Sequence, residues 1–191
     1  LLVLGWWLTV FILGLAAFPI AFVALKNLPD KGYVFSKVLA LILVGYFSWI
    51  FGYVAFNGAT ILLSFLLVLA ASAVLLWTWT GKAFADFTKK NLGYFIVVEV
   101  FFLAAFLIAG AYKMRTYEIA GTEKPMDFAF INGILSSPSM PPQDPWLSGG
   151  SISYYYFGYL IVSILCKVTQ VTPGEAFNLA VALTWALAAV C

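Results

Sequence analysis

Four of the chain's eight acids, Glu118, Glu123, Asp127 and Asp144, fall between Arg115 and Tyr156, and so do five of its eight prolines. A polar stretch of about forty residues is longer than a connection needs, and long ordered loops usually carry function. The chain has no histidine. That removes the commonest ligand for haem, zinc and copper and the commonest general base near neutral pH. Proton transfer or metal binding therefore falls to carboxylates, which favour hard cations such as magnesium, manganese or calcium. No haem and no zinc are expected. Cys166 and Cys191 lie in apolar runs and read as packing residues, with no disulfide framework.

Spacing sharpens the choice among the acids. Lys124-Pro125 suits a helix start, because proline fits the first turn where its missing N–H costs nothing. With MDFAFINGIL helical after it, Asp127 falls between Ile131 and Ile134, close to Phe130, and Asn132 marks the other side. A carboxylate on the apolar side reads either as a functional group or as an acid favoured by the helix dipole. Glu123, four residues earlier, forms with Asp127 either an acid–base or cation-binding pair, or is surface charge beside Lys124. Glu118 carries less. The segment SSPSMPPQDP cannot be helical and reads as a stiff extended strap. Trp146 is expected at the membrane interface, and Gly149-Gly150 bends the chain toward Tyr154, Tyr155 and Tyr156. As part of a helix these tyrosines span about 200° of its surface. They read as interface residues or as stacking partners for a sugar or polyprenyl group.

The elements that must position these residues are transmembrane helices. The chain is 64% apolar and 9% charged, with a mean hydropathy of +1.02, against about 25% charged residues in soluble domains. About 20 apolar residues cross the hydrocarbon core. Spans are expected over 1–25, 33–56, 59–80 and 92–112, with a basic connector at 81–91. Residues 113–153 form the long loop with a juxtamembrane helix, and 154–171 a fifth span with Ser151 or Ser153 as N-cap. Glu175 opens a sixth span. The fold class expected is thus an all-α polytopic bundle of about six spans: four helices in 1–112, the loop 113–153, and two more in 154–191. The run LLVLGWW does not read as a signal peptide, and the chain reads as a fragment of a larger protein.

Glu99 sits about seven residues into the fourth span, where an ionisable group is costly and faces protein or water. No lysine or arginine is expected at its depth, which leaves it protonated or paired with a helix outside this chain. Lysines and arginines set orientation. Lys26, Lys31, Lys37, Lys82, Lys89, Lys90 and Lys167 are assigned to one side, and Lys113, Arg115 and Lys124 to the other. Seven against three puts the loop 113–153 outside the cell, in a multi-pass protein of the plasma membrane. Scattered basic residues without a stripe exclude nucleic acid as a partner.

The string GTEKPMDFAFINGIL, followed by PPQDPW and SYYYFGYL, resembles the family of membrane proteins named YYY after its tyrosine run. The layout in turn resembles GT-C glycosyltransferases, which carry an acidic motif in the first long external loop after a membrane span. The resemblance implies a GT-C-like fold and transfer of a sugar from a polyprenyl-phosphate donor. Asp127 is then the catalytic base, and Glu123 a second acid that assists or shares a magnesium or manganese ion with Asp127. Arg115 and Lys124 meet the donor phosphate, and Asn132, Tyr155 and Tyr156 contact substrate. Membrane lipid and other membrane subunits are further expected partners. Two rival functions remain: a non-catalytic subunit of a respiratory or photosynthetic assembly, and a transporter coupled through Glu99.

Overall fold

A computed structural model describes residues 2–191, and among them all regular structure is helical apart from one isolated bridge pair. The helices are α1 (Leu2–Ala24), α2 (Ser36–Gly52), α3 (Gly58–Leu75), α4 (Gly81–Lys90), α5 (Leu92–Arg115), α6 (Lys124–Ser136), α7 (Phe157–Thr169) and α8 (Pro173–Val190). A π-helical turn, Leu76–Thr80, joins α3 to α4 without a break. Four helical stretches are long and apolar enough to cross a membrane: Leu2–Ala24, Gly58–Lys90, Leu92–Arg115 and Pro173–Val190. The expected all-α membrane bundle is therefore observed.

These helices are apolar all round, the pattern of segments that meet protein on one side and acyl chains on the other. Leu4, Leu8 and Leu15 of α1, Leu62 and Leu66 of α3, and Ile96, Val97 and Ile108 of α5 are exposed, whereas Trp6, Val10, Val68, Phe102 and Phe106 are fully buried. The basic connector at 81–91 carries the helix α4 over Gly81–Lys90. Its Phe84 and Phe87 pack on Phe18 and Phe22, while Lys82, Asp86, Lys89 and Lys90 are exposed. This is the division of a helix lying in the membrane interface. Trp77 and Trp79 are exposed just before it.

Contacts between helix ends define two faces. The first, the connector face, holds residues 25–35 and α4. Cys191, just beyond α8, reaches it, with its thiol on the Val34 carbonyl. The second, the loop face, holds the α2–α3 hairpin, because the Phe56 N–H donates to the Pro138 carbonyl at 2.7 Å and the Met140 N–H donates to the Gly52 carbonyl at 2.7 Å. At the hairpin Asn57 caps α3 by accepting from the Ala59 and Thr60 N–H groups. Gly52 has no side chain to obstruct the strap, and a Cβ there would meet Met140 at 2.6 Å.

α5 and α8 pack antiparallel along their length. Glu175 and Asn178, near the start of α8, lie beside Lys113 and Tyr117 at the loop-face end of α5. The turn before Pro173 is therefore on the loop face, which corrects its assignment to the side of the connectors. Lys167 follows it, since its Nζ lies 3.5 Å from the Leu135 carbonyl and 5.0 Å from the centre of the Phe56 ring. α7 has 13 residues, about 20 Å at 1.5 Å per residue, too short for a core of about 30 Å. It enters the bundle against α1, α2 and α3 and returns to the face it left. Residues 116–172 thus form one continuous loop-face assembly.

Candidate functional site

The assembly is built on two parallel helices held at a constant offset. The Tyr159 hydroxyl donates to Asp127 Oδ1 at 2.5 Å, the Ser163 hydroxyl lies 3.4 Å from the Ile131 carbonyl, and Lys167 reaches the Leu135 carbonyl. Each pair is 32 residues apart, so one four-residue repeat on α6 meets the same repeat on α7. Between the helices runs the strap. Gln143 bridges Ser151, Ile152 N–H donates to the Pro142 carbonyl, and Asp144 N–H donates to Gly150. Asp144 Oδ1 accepts from the N–H groups of Trp146 and Leu147, so this acid shapes the turn.

Asp127 occupies the first turn of α6 and is half-buried, as its position between Ile131 and Ile134 implies. Buried Phe130 is the hub of an aromatic cluster beside it. Its ring centre lies 5.5 Å from Trp146, 5.8 Å from Tyr154 and 5.5 Å from Tyr159. Tyr154 and Tyr155 pack at 4.0 Å, and Tyr155 is 62% exposed, so one wall of the site presents ring faces to the loop-face exterior. The adjacent Tyr154 hydroxyl, then desolvation and the charges of Tyr154, Glu123 and Asp127, push Tyr155 up to about 12.

Tyr154, Tyr155 and Tyr156 are not helical. α7 starts at Phe157, Tyr156 is its N-cap residue but its side chain caps no N–H of the helix, and Ser151 is engaged in the bridge to Gln143. Freed from helical spacing, the three tyrosines separate. Tyr154 and Tyr155 stay with Phe130 and Tyr159, while the Tyr156 hydroxyl accepts from Trp49 Nε1 at 2.8 Å. Asn132 turns back on its own helix and donates to the Phe128 carbonyl at 2.8 Å. Arg115 ends α5, exposed, and Lys124 opens α6, half-buried, and among the described residues neither makes an ion pair. Exposed Glu123 occupies the N-cap position of α6, and its side chain caps no N–H. Among the described residues no group of three potential metal ligands gathers.

Glu99 is paired within the chain, contrary to the expectation that its partner was absent. Lys37 Nζ lies 2.5 Å from Glu99 Oε1, and the Tyr33 hydroxyl donates to the same oxygen at 2.7 Å. The two charged side chains are 2% and 13% exposed. Lys37 lies in the first turn of α2, and its stem crosses α1 at Gly14, where a Cβ would meet Lys37 Cγ at 2.7 Å. Its ammonium also faces the Phe102 ring at 5.1 Å. Lys37 and Tyr159 are the two partners that residue types alone missed. The usable signal for Tyr159 was its four-residue spacing from Tyr155.

A polytopic helical membrane protein with an acid held in an aromatic-walled site on one face is the class that this fold defines. The chain belongs to the family described as Uncharacterized membrane protein (DUF2298), whose pattern matches residues 43–191, from the middle of α2 to Cys191. No curated protein and no solved structure matches the chain.

Proposed function

We propose that the chain is the membrane part of a GT-C-like glycosyltransferase that uses a polyprenyl-phosphate-linked sugar on the loop face. The observation that carries this reading is the bond from Tyr159 to Asp127 inside the cluster of Phe130, Trp146, Tyr154 and Tyr155. Tyr159 holds Oδ1, and no other bond to the Asp127 carboxylate is present among the described residues. Oδ2 then faces the acceptor hydroxyl and takes its proton as the hydroxyl oxygen attacks the anomeric carbon. The bond from that carbon to the donor phosphate breaks, and the phosphate leaves with the electron pair. Exposed tyrosine and tryptophan rings give the sugar faces to stack on. Glu123 and Asp127 would hold a magnesium or manganese ion, since magnesium needs only one or two carboxylates when phosphates and water supply the rest. Arg115 and Lys124 would meet donor phosphate.

The loop face is extracytoplasmic in this reading. The support is α4, whose exposed Lys82, Lys89 and Lys90 suit an anionic cytoplasmic leaflet.

Asp127→Asn keeps the size of the side chain and removes the base. A positioned base contributes roughly 10²–10⁴-fold, so transfer by the full-length protein should fall by about that factor with membrane insertion intact. Tyr159→Phe, which only releases the carboxylate, should cost about tenfold to a hundredfold. Near-normal transfer in Asp127→Asn would reduce the acid to a helix-dipole contribution of at most ~1 kcal/mol.

A further inference from the structure

Between α1, α3 and α7 lies an apolar groove of about 340 Å³, walled by Ile12, Leu13, Ile61, Phe65, Ile164 and Val168 among others. It opens outward along Ile12 and Leu62, both exposed where the bundle meets acyl chains. One charged group lines it, Lys167, at the loop-face end beside Gly58. Among the described residues the ammonium makes no ion pair; it lies 3.5 Å from the Leu135 carbonyl and 5.0 Å from the centre of the Phe56 ring. The only ion pair among the described residues is Lys37–Glu99, buried elsewhere in the bundle. Gly58 is also the first residue of α3, so the positive end of an 18-residue helix dipole points at the same mouth.

An ammonium at the end of a hydrocarbon-lined groove loses hydration that neutral neighbours only partly replace. An anion is the complementary occupant, and apolar walls open to the bilayer require that it carry a hydrocarbon chain. We propose that this groove seats an anionic phospholipid of the loop-face leaflet, its phosphate on Lys167 and one chain between α1, α3 and α7. The site is separate from Asp127, because Lys167 and Tyr159 lie two turns apart on α7. It stands whether or not the chain transfers sugars.

The test is lipid retention by the full-length protein extracted from vesicles of mixed phosphatidylglycerol and phosphatidylcholine, read by native mass spectrometry. One lysine near a phosphate is worth about fivefold in binding. The wild type should therefore retain phosphatidylglycerol about fivefold over phosphatidylcholine. Lys167→Gln should bring that ratio close to one, and Lys167→Arg should keep it, which separates loss of charge from loss of folding. Leu62→Trp, which fills the groove, should lower retention of both lipids. Equal retention by the wild type would overturn the proposal and leave Lys167 as a snorkelling side chain. A preference that survives Lys167→Gln would also overturn it, by assigning the preference to another basic residue such as Arg115.

Discussion

Lys37 and Glu99 show what a charged residue in an apolar segment does to its surroundings. Neither is affordable alone in hydrocarbon, and the pair links α2 to α5 past Gly14 of α1, with Tyr33 supplying a further donor. Removing one partner of a buried pair strands the other charge and costs roughly 3–5 kcal/mol. Lys37→Met should therefore lower thermal stability steeply, while Lys37→Met combined with Glu99→Gln should recover most of it. A double variant no better than the single one would mean that the pair is not coupled. Glu99 was legible as a buried acid from its position seven residues into a span. Its partner was not, because Lys37 sits where flanking lysines normally mark a membrane surface. What turns it inward is the absence of a side chain at Gly14, a contact between helices that spacing along one chain does not report.

At the scale of elements, most of the helices were readable because the hydrocarbon core imposes a length and a composition on whatever crosses it. The start of α6 was readable too, since Lys124-Pro125 fixes it and the positions of Ile131 and Ile134 fix the direction of Asp127. The tyrosine run was misread as helix because its residues suit one. What prevents it is the strap, which pairs Gln143 with Ser151 and fixes Ile152 on Pro142, holding the chain extended up to Tyr156. The strap is in turn secured to the α2–α3 hairpin, with Met140 seated over Gly52. Gly52→Val should force Met140 out and cost about 1–3 kcal/mol, the usual penalty for overpacking. Met140→Ala in the same chain should return part of that loss. Independent, additive effects in thermal unfolding would show that Met140 does not rest on Gly52 and that the strap is held elsewhere.

For the whole molecule the decisive question is which segments cross the membrane, because that places the site and its lysines. Counting basic residues along the sequence gave seven against three. The count changes once the fold is known, because Lys37 is buried in its ion pair and Lys167 lies on the loop face. Lys26, Lys31, Lys82, Lys89 and Lys90 then face Lys113, Arg115, Lys124 and Lys167, five against four. An apolar segment ending in a lysine looks the same whether it crosses or returns, so hydropathy could not distinguish α7 from a span. Its 13 residues and its contacts with Phe56 and Leu135 do. Single cysteines at Ser148, Thr172 and Ala85, in a background without Cys166 and Cys191, test the arrangement in intact cells with an impermeant thiol reagent. Positions 148 and 172 should label together, and position 85 only after permeabilisation, if the loop face is extracytoplasmic. Labelling of position 85 alone would reverse the orientation and keep the fold. Labelling of 172 together with 85 and apart from 148 would require α7 to cross the membrane, which would separate Lys167 from Leu135 and break the parallel pairing of α6 and α7 on which the Asp127 site depends.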